Sequence, residues 1–248
     1  MARSRLVLLL LLVLGACAPI TEPLVAPAVA PETTLGAAPR IDGGKVLLLP
    51  PDVECGEVGA SGLVTPRADW TEQAMRNVTT ALEQKLGARN LVVERLDEAT
   101  LLPDERAAFE RFAPLARTVG LSIFHFQNLP GRAGRFDWTV GETGKPLRAA
   151  RKADHALLVH LRDSHATAEA MALNALSIAA AVAAGAAGVR APVRIVTGAQ
   201  VGFATLVELE SGRVVWFNRL GTVAPDADLR VPASAEKSVD ALLAACPI

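Results

Sequence analysis

Apolar residues in the first third of the chain follow two different patterns. A continuous apolar run at 45–50 ("KVLLLP") predicts a strand buried on both faces, and 91–96 ("LVVERL") predicts the next strand. Between them, Arg67–Gly87 predicts an amphipathic helix, with Asp69 and Glu72 in the positions of a capping box. Its apolar stripe recurs every four residues, at Trp70, Ala74, Val78, Leu82 and Leu86. Strand, helix and strand with short connections form a βαβ-like unit.

The remainder of the chain predicts further helices and strands. Residues 104–128 favour a helix in which Leu115, Val119, Ile123 and Phe126 recur at helical spacing, with a strand at 121–127 as the alternative. Pro114 should interrupt or kink this helix. The later elements are a short basic helix at 145–152, a strand at 153–162, an Ala-rich helix at 166–189, a hairpin at 200–218 with its turn at Ser211-Gly212, and a helix at 232–245. We therefore expect an α/β fold, with a mixed sheet of about five strands flanked by helices, in one domain spanning 41–248.

The amino terminus has the order of features expected of an export signal. Arg3 and Arg5 precede the apolar run Leu6–Leu14, which is too short to cross a hydrocarbon core of about 30 Å as a helix. The run ends at Leu14-Gly15-Ala16-Cys17, which resembles the lipobox of bacterial lipoproteins. That resemblance implies cleavage after residue 16, diacylglycerol on the Cys17 thiol, and acylation of the new amino terminus, with palmitate as the expected acid. The alternative is an ordinary secretory signal with a chance cysteine.

The predicted cellular location follows from the residues around and after Cys17. The next residue is Ala18 rather than Asp, which in proteobacterial lipoproteins implies delivery to the outer membrane. Residues 17–40 are rich in Pro and Ala and predict an extended, lipidated tether, the alternative being a segment that packs on the domain. Residues 1–16 are then the signal peptide, and the domain at 41–248 faces the periplasm.

Composition limits the classes of partner. The chain has 248 residues and a formal net charge of −1, with no tyrosine, 51% apolar residues and 21% charged residues. Removal of the two positive charges of Arg3 and Arg5 with the signal would change the charge from −1 to −3. A mildly acidic chain without a basic stripe argues against nucleic acid as a partner, and the low aromatic content argues against a stacking platform for bases or sugars.

Two cysteines remain after Cys17, and they lie near the two ends of the predicted domain. Cys55 follows the first strand and Cys246 ends the last helix. An exported protein meets an oxidising compartment, so a Cys55–Cys246 disulfide is one interpretation. Two free, buried thiols are the other.

A family resemblance rests on the strand that begins "KADHALLV" and on the late hairpin "GFATLVELESGRVVWFN". Ala153-Asp154 at the strand entry and Glu210-Ser211-Gly212-Arg213 with Trp216 in the hairpin resemble the α/β domain of curli-secretion channel lipoproteins and the amino-terminal domain of the TolB family. The layout "VLLLPPDVE…DWTEQA…FDWTVG…RDSHA" is also similar to that of other proteobacterial envelope lipoproteins. The resemblance covers about residues 45–245 and implies fold and compartment rather than chemistry. One departure is that 166–191 lacks the alternation of a membrane-spanning β-hairpin.

The residues that could carry chemistry form no strong motif. His155, His160 and His165 recur every five residues, so on a strand neighbouring histidines lie on opposite faces. His160 and His165 could join Asp163 in a metal site only if the chain turned after Arg162. Asp163-Ser164-His165 has the residue types of a hydrolase triad, but adjacent residues rarely converge in series and no G-x-S-x-G elbow is present. Asp163 or Ser164 capping the next helix is the plainer interpretation. We expect no catalytic residue, metal or cofactor.

The Ala-rich segment 166–189 is the most unusual feature of the sequence. One interpretation is a helix buried against the sheet, and the other is a helix for self-association or membrane contact. The sequence as a whole predicts a non-catalytic outer-membrane lipoprotein, anchored in the lipid by Cys17, that binds an envelope protein partner or forms a homo-oligomer. A subunit of an envelope secretion or transport complex and an envelope hydrolase are the alternatives.

Overall fold

The structure, a computed structural model, describes residues 44–89, 91–126, 136–193, 195–222 and 227–248. The predicted signal peptide, Cys17 and the predicted tether at 17–40 lie outside the described residues. All of the described residues belong to one compact unit.

The described residues form one mixed sheet of seven strands, centred on a long strand. The strands are β1 (Lys45–Leu48), β2 (Asp52–Val58), β3 (Val64–Pro66), β4 (Val92–Arg95), β5 (His155–Ala166), β6 (Gln200–Glu208) and β7 (Val214–Thr222). Along one edge of β5, β1 and β2 lie end to end and both pair with it in parallel. Its other edge pairs with β6, which forms an antiparallel hairpin with β7. On the side away from β5, β4 pairs with β1 in parallel and β3 pairs with β2 in antiparallel.

Helices cover both faces of this sheet. They are α1 (Ala68–Gly87), α2 (Pro103–His125), α3 (Lys145–Arg151), α4 (Ala168–Ala186) and α5 (Pro232–Leu242). On one face, α1 and α5 enclose a core that includes Val78, Val159 of β5 and Trp216 of β7. On the other face, α2 and α3 enclose a second core around Phe112, Leu158 and Phe203. The expected α/β architecture is confirmed, because alternate residues of β5 and β6 supply apolar side chains to both cores.

Most predicted elements are confirmed at nearly the expected bounds. The apolar run at 45–50 is buried as predicted, and α1 buries Ala74, Val78, Leu82 and Leu86 of its stripe. The hairpin turns at Ser211-Gly212, where Gly212 takes a positive φ of 70° that favours glycine. The predicted capping box of α1 is wrong. Its amino-terminal cap is Arg67, which makes no side-chain cap, and the Asp69 carboxylate instead accepts hydrogen bonds from the Arg67 guanidinium.

The sequence pattern does not predict strands β2 and β3. Polar residues interrupt β2, where they alternate with buried positions in "DVECGEV", and β3 has three residues, all exposed. Both strands depend on tertiary pairing, because β2 extends the edge of β5 and β3 adds to β2. Local apolar periodicity does not report such pairing.

The segment expected to be a helix from 104 is confirmed as α2, and the helix continues through Pro114 without interruption. Its buried face is offset from the residues that the spacing indicates. Ile123 is buried, but Leu115 and Phe126 are exposed. Small residues at 116 and 120 let the helix approach the sheet, where an added Cβ on Gly120 would collide with the Phe203 ring. The buried positions are Ala108, Phe112, Ala116, Gly120 and Ile123.

Candidate functional site

The segment 167–199 leaves the sheet at the end of β5 and returns at the start of β6. The two ends meet, because Asp163 of β5 is the register partner of Gln200 of β6. The outgoing part is the helix α4, and residues 187–193 and 195–199 of the returning part form neither helix nor strand. We call 167–199 the arm.

The arm has its own internal hydrogen bonds. The Thr167 hydroxyl accepts a bond from the Ala170 N–H at 3.0 Å and caps α4. This corrects the expectation that Asp163 or Ser164 would cap the helix, since β5 continues to Ala166. The Asn174 side chain bonds the backbone of Val196 twice, donating to its carbonyl at 2.6 Å and accepting from its N–H at 2.8 Å. These bonds hold the returning part of the arm against the helix.

The surface of α4 is apolar and exposed. Within this helix, all of which the structure describes, only Ala170 is buried. The helix is long and apolar enough to cross a membrane, by length and composition alone, and only 6% of its apolar window is buried. The interpretation that 166–189 is a helix buried against the sheet is therefore wrong. Large contiguous apolar patches on a protein surface mark sites of interaction. The large exposed side chains of α4 are Met171, Leu173, Leu176, Ile178 and Val182.

A second group of side chains lies at the base of the arm. His165 Nε2 lies 3.1 Å from Asp163 Oδ2 and 3.5 Å from Asp228 Oδ1. Asp163 and His165 share a face of β5 because they are two residues apart, and Asp228 comes from the connection between β7 and α5. The Leu229 N–H donates to Asp163 Oδ2 at 2.8 Å. We call Asp163, His165 and Asp228 the base cluster.

Two arginines and Trp70 border the base cluster. Arg230 donates to both carboxylate oxygens of Asp228, and its guanidinium lies 4.0 Å from the centroid of the Trp70 ring. Arg67 lies over the same ring at 4.7 Å. Burial acts to raise the pKa of Asp228, but the hydrogen bonds from Arg230 prevail and lower it. Asp228 therefore stays ionised at neutral pH.

The sequence offers Asp163 and His165 as candidates in combination with His160 or Ser164, and it gives no sign of Asp228. It places neighbouring histidines on opposite faces of a strand, which the structure confirms: His160 stacks on Phe203 in one core, while the ring of His165 meets the edge of Trp70 on the other face. The turn after Arg162 that would have joined His160 to His165 does not occur, because β5 runs on to Ala166. Asp228 lies 63 residues beyond His165 in the chain, and no local pattern marks it.

The hydrolase arrangement is not assembled around Ser164. Ser164 lies between Asp163 and His165 on β5, so it projects to the opposite face of the strand. Its hydroxyl donates to the Ala199 carbonyl at 3.1 Å and accepts from the Ala199 N–H at 3.0 Å. These bonds hold the returning end of the arm beside β5.

Cys55 and Cys246 are both free thiols in the structure. Burial, reinforced by the nearby Asp163 carboxylate, raises the pKa of Cys55 to about 12. Burial also raises the pKa of Cys246 to about 11. Both thiols are protonated at neutral pH, which makes them poor nucleophiles. A Cys55–Cys246 disulfide in the oxidised protein stays a prediction.

Comparisons with known proteins give distant structural similarities. No protein-family model and no curated protein matches the chain. The PelC dodecamer from Paraburkholderia phytofirmans is similar with a TM-score of 0.38 and 10% identity, over 86% of this chain and 96% of that chain. The LpoB C-terminal domain from Salmonella enterica is similar with a TM-score of 0.27 and 11% identity, over 74% of this chain and 86% of that chain. At these values the similarities assign neither a family nor a role.

Proposed function

We propose that the chain is a non-catalytic lipoprotein of the bacterial outer membrane, anchored by Cys17 and facing the periplasm, that assembles with further copies of itself through the arm. The observation that carries the proposal is the exposed apolar surface of α4. A helix that is apolar on all sides is normally found inside a protein core, an assembly or a membrane. The described part of this chain does not cover it.

A protein partner suits the arm better than lipid does. The arm leaves and returns at one place on the sheet, so a helix inserted in a bilayer would carry the returning part with it. Residues 187–193 and 195–199 form neither helix nor strand, so regular hydrogen bonding does not pair their backbone groups throughout. Unsatisfied backbone groups are costly in hydrocarbon, and Arg190 would add a charge.

The distribution of apolar residues around α4 calls for more than one neighbouring helix. At about 100° per residue, Met171, Ile178 and Val182 share one stripe, while Leu173 and Leu176 project roughly 140–200° away from it. A single partner helix covers one side only. Copies of the same chain supply matching Ala-rich helices, which can approach each other closely. A lipid anchor that confines the copies to one membrane also raises their effective concentration.

The size of the surface is adequate for assembly. A helix of 19 residues is about 28 Å long and about 10 Å wide, which corresponds to roughly 900 Å² of lateral surface. Stable interfaces bury about 800 Å² on each partner. The side that carries Asn174 is half-buried beneath the returning part of the arm, so the contact area on each chain must include residues of the returning part as well as α4.

We expect the double substitution Ile178→Glu with Val182→Glu to convert the assembly into single chains. Two carboxylates on one stripe would have to be desolvated in every helix contact. The measurement is the mass of the purified full chain in mild detergent by light scattering. Leu63→Glu is the matched control, because Leu63 is also exposed but lies in the turn between β2 and β3.

Several outcomes would contradict this proposal. A wild-type chain that is a single copy at all concentrations would exclude self-assembly. An assembly that survives the double substitution would place the contacts on another surface. Flotation of the Cys17→Ala chain with lipid vesicles, lost on the double substitution, would assign the arm to the membrane. Hydrolysis of an envelope substrate that is lost in Ser164→Ala would contradict the non-catalytic part.

A further inference from the structure

We propose that the base cluster binds one divalent transition-metal ion, for which Zn²⁺ is the best-fitting probe. Asp163, His165 and Asp228 each offer one ligand atom, and these atoms all lie within 4.8 Å of one another. Imidazole nitrogen and carboxylate oxygen are both ordinary ligands of zinc. The inference is independent of the proposed assembly through the arm.

Two of the three separations between the ligand atoms are close to those expected around a single ion. Zinc lies about 2.0–2.2 Å from nitrogen and oxygen ligands, so two ligands of a tetrahedral site are about 3.3–3.6 Å apart. His165 Nε2 lies 3.1 Å from Asp163 Oδ2 and 3.5 Å from Asp228 Oδ1. The ligand oxygens of Asp163 and Asp228 lie within 4.8 Å of each other, so rotation of these two carboxylates would complete the site. Three protein ligands would leave the fourth position for water.

An independent observation points to a missing partner at Asp163. Its side chain is 1% exposed, and its Oδ1 has no hydrogen-bond partner among the described residues. A buried carboxylate oxygen without a partner is costly. Oδ2 of the same carboxylate accepts the Leu229 N–H and faces His165 Nε2, so an ion held by both oxygens of Asp163 would also give Oδ1 a partner.

The groups around the cluster would orient its ligands. The Leu229 N–H holds Asp163, and Arg230 holds Asp228 through its backbone N–H, Nε and Nη2 at 2.8–2.9 Å. Ligating carboxylates in metal sites are commonly held by such outer hydrogen bonds. The two carboxylates and the one guanidinium together carry a net charge of −1. Arg230 weakens the attraction for a cation but does not cancel it.

An ion could reach the cluster from solvent. The His165 and Asp228 side chains are 19% and 22% exposed, in contrast to Asp163. The ion would join β5 to the connection between β7 and α5, directly below the arm. Binding should therefore stabilise the folded domain as well as fill the site.

The test is calorimetric titration of the chelator-treated full chain with Zn²⁺, together with thermal unfolding. We expect one equivalent to bind and the unfolding temperature to rise. His165→Gln and Asp228→Asn should each weaken binding at least tenfold and remove the rise. His125→Gln is the control, because His125 is an exposed histidine at the end of α2.

Absence of binding by the wild-type chain would overturn the proposal, as would equal binding by all of the variants. X-ray absorption should show nitrogen and oxygen ligands only, and a sulfur ligand would place the ion on a cysteine instead. Asp228→Asn changes a partly exposed residue, so it carries the test if His165→Gln does not fold. Circular dichroism of each variant checks the fold.

Discussion

Replacing Cys17 with serine is expected to move the protein from the membrane fraction to the soluble fraction of the periplasm. The resemblance of Leu14-Gly15-Ala16-Cys17 to a lipobox makes the Cys17 thiol the attachment point of the lipid. Each buried methylene of an acyl chain contributes about 0.8 kcal/mol, and two or more chains give stable anchoring where one gives marginal binding. A hydroxyl at position 17 cannot form the thioether. The measurement is the distribution of the protein after fractionation of the cell envelope.

Cys55→Ser and Cys246→Ser are the matched controls for this experiment. Both residues are thiols of the described domain, and neither lies in the predicted lipobox. Both controls should remain in the membrane fraction, and the mass of the amino-terminal peptide should show acyl chains. A Cys17→Ser chain that stays in the membrane fraction would contradict Cys17 as the only attachment. The Ile178→Glu and Val182→Glu substitutions are then added, to test whether they release the chain from the membrane. Release of that kind would assign the attachment to the arm.

Phe203→Ala is expected to lower the free energy of unfolding by about 3–5 kcal/mol, the usual cost of removing a buried phenylalanine ring. Phe203 is fully buried on β6. Its ring stacks on His160 at 5.0 Å and on Phe217 at 5.5 Å between ring centroids. Gly120 of α2 leaves no room for a Cβ against this ring, so closing the cavity would require movement of the helix.

Denaturant unfolding of the full chain measures this difference. Leu63→Ala is the control, because Leu63 is 72% exposed and should change the free energy by less than about 0.5 kcal/mol. An equal change in the free energy of unfolding of both variants would show that the Phe203 ring contributes no more to stability than an exposed side chain does. The slopes of the two transitions should agree, since a changed slope would indicate a different unfolded or native state.

Local patterns predict most elements of the fold. The stripe of α1 repeats every four residues and buries Ala74, Val78, Leu82 and Leu86 together, as one face of a helix must. The hairpin of β6 and β7 is visible from alternation and from the glycine in its turn. The buried face of α2 is not visible in this way, because the small residues 116 and 120 face the sheet where larger residues are expected.

The candidate sites divide in the same way. Asp163 and His165 are two residues apart, and they share a face because β5 continues to Ala166, past the predicted end of the strand at 162. Asp228 enters the cluster through a distant connection, and Arg230 with Trp70 encloses it. Such contacts arise from packing and leave no periodic signal in the chain.

The amino-terminal segment predicts where in the cell the protein is located, through its order of charge, apolar run, small residues and Cys17. This prediction needs no knowledge of the fold, because a targeting signal is recognised as a linear segment. Local composition likewise predicts that 166–189 is a helix, since helix formation depends on neighbouring residues. It does not say what covers that helix. The tertiary structure shows that α4 belongs to neither core, because α1, α2, α3 and α5 already cover the two faces of the sheet. Whether a helix is buried depends on contacts between residues that are far apart in the chain.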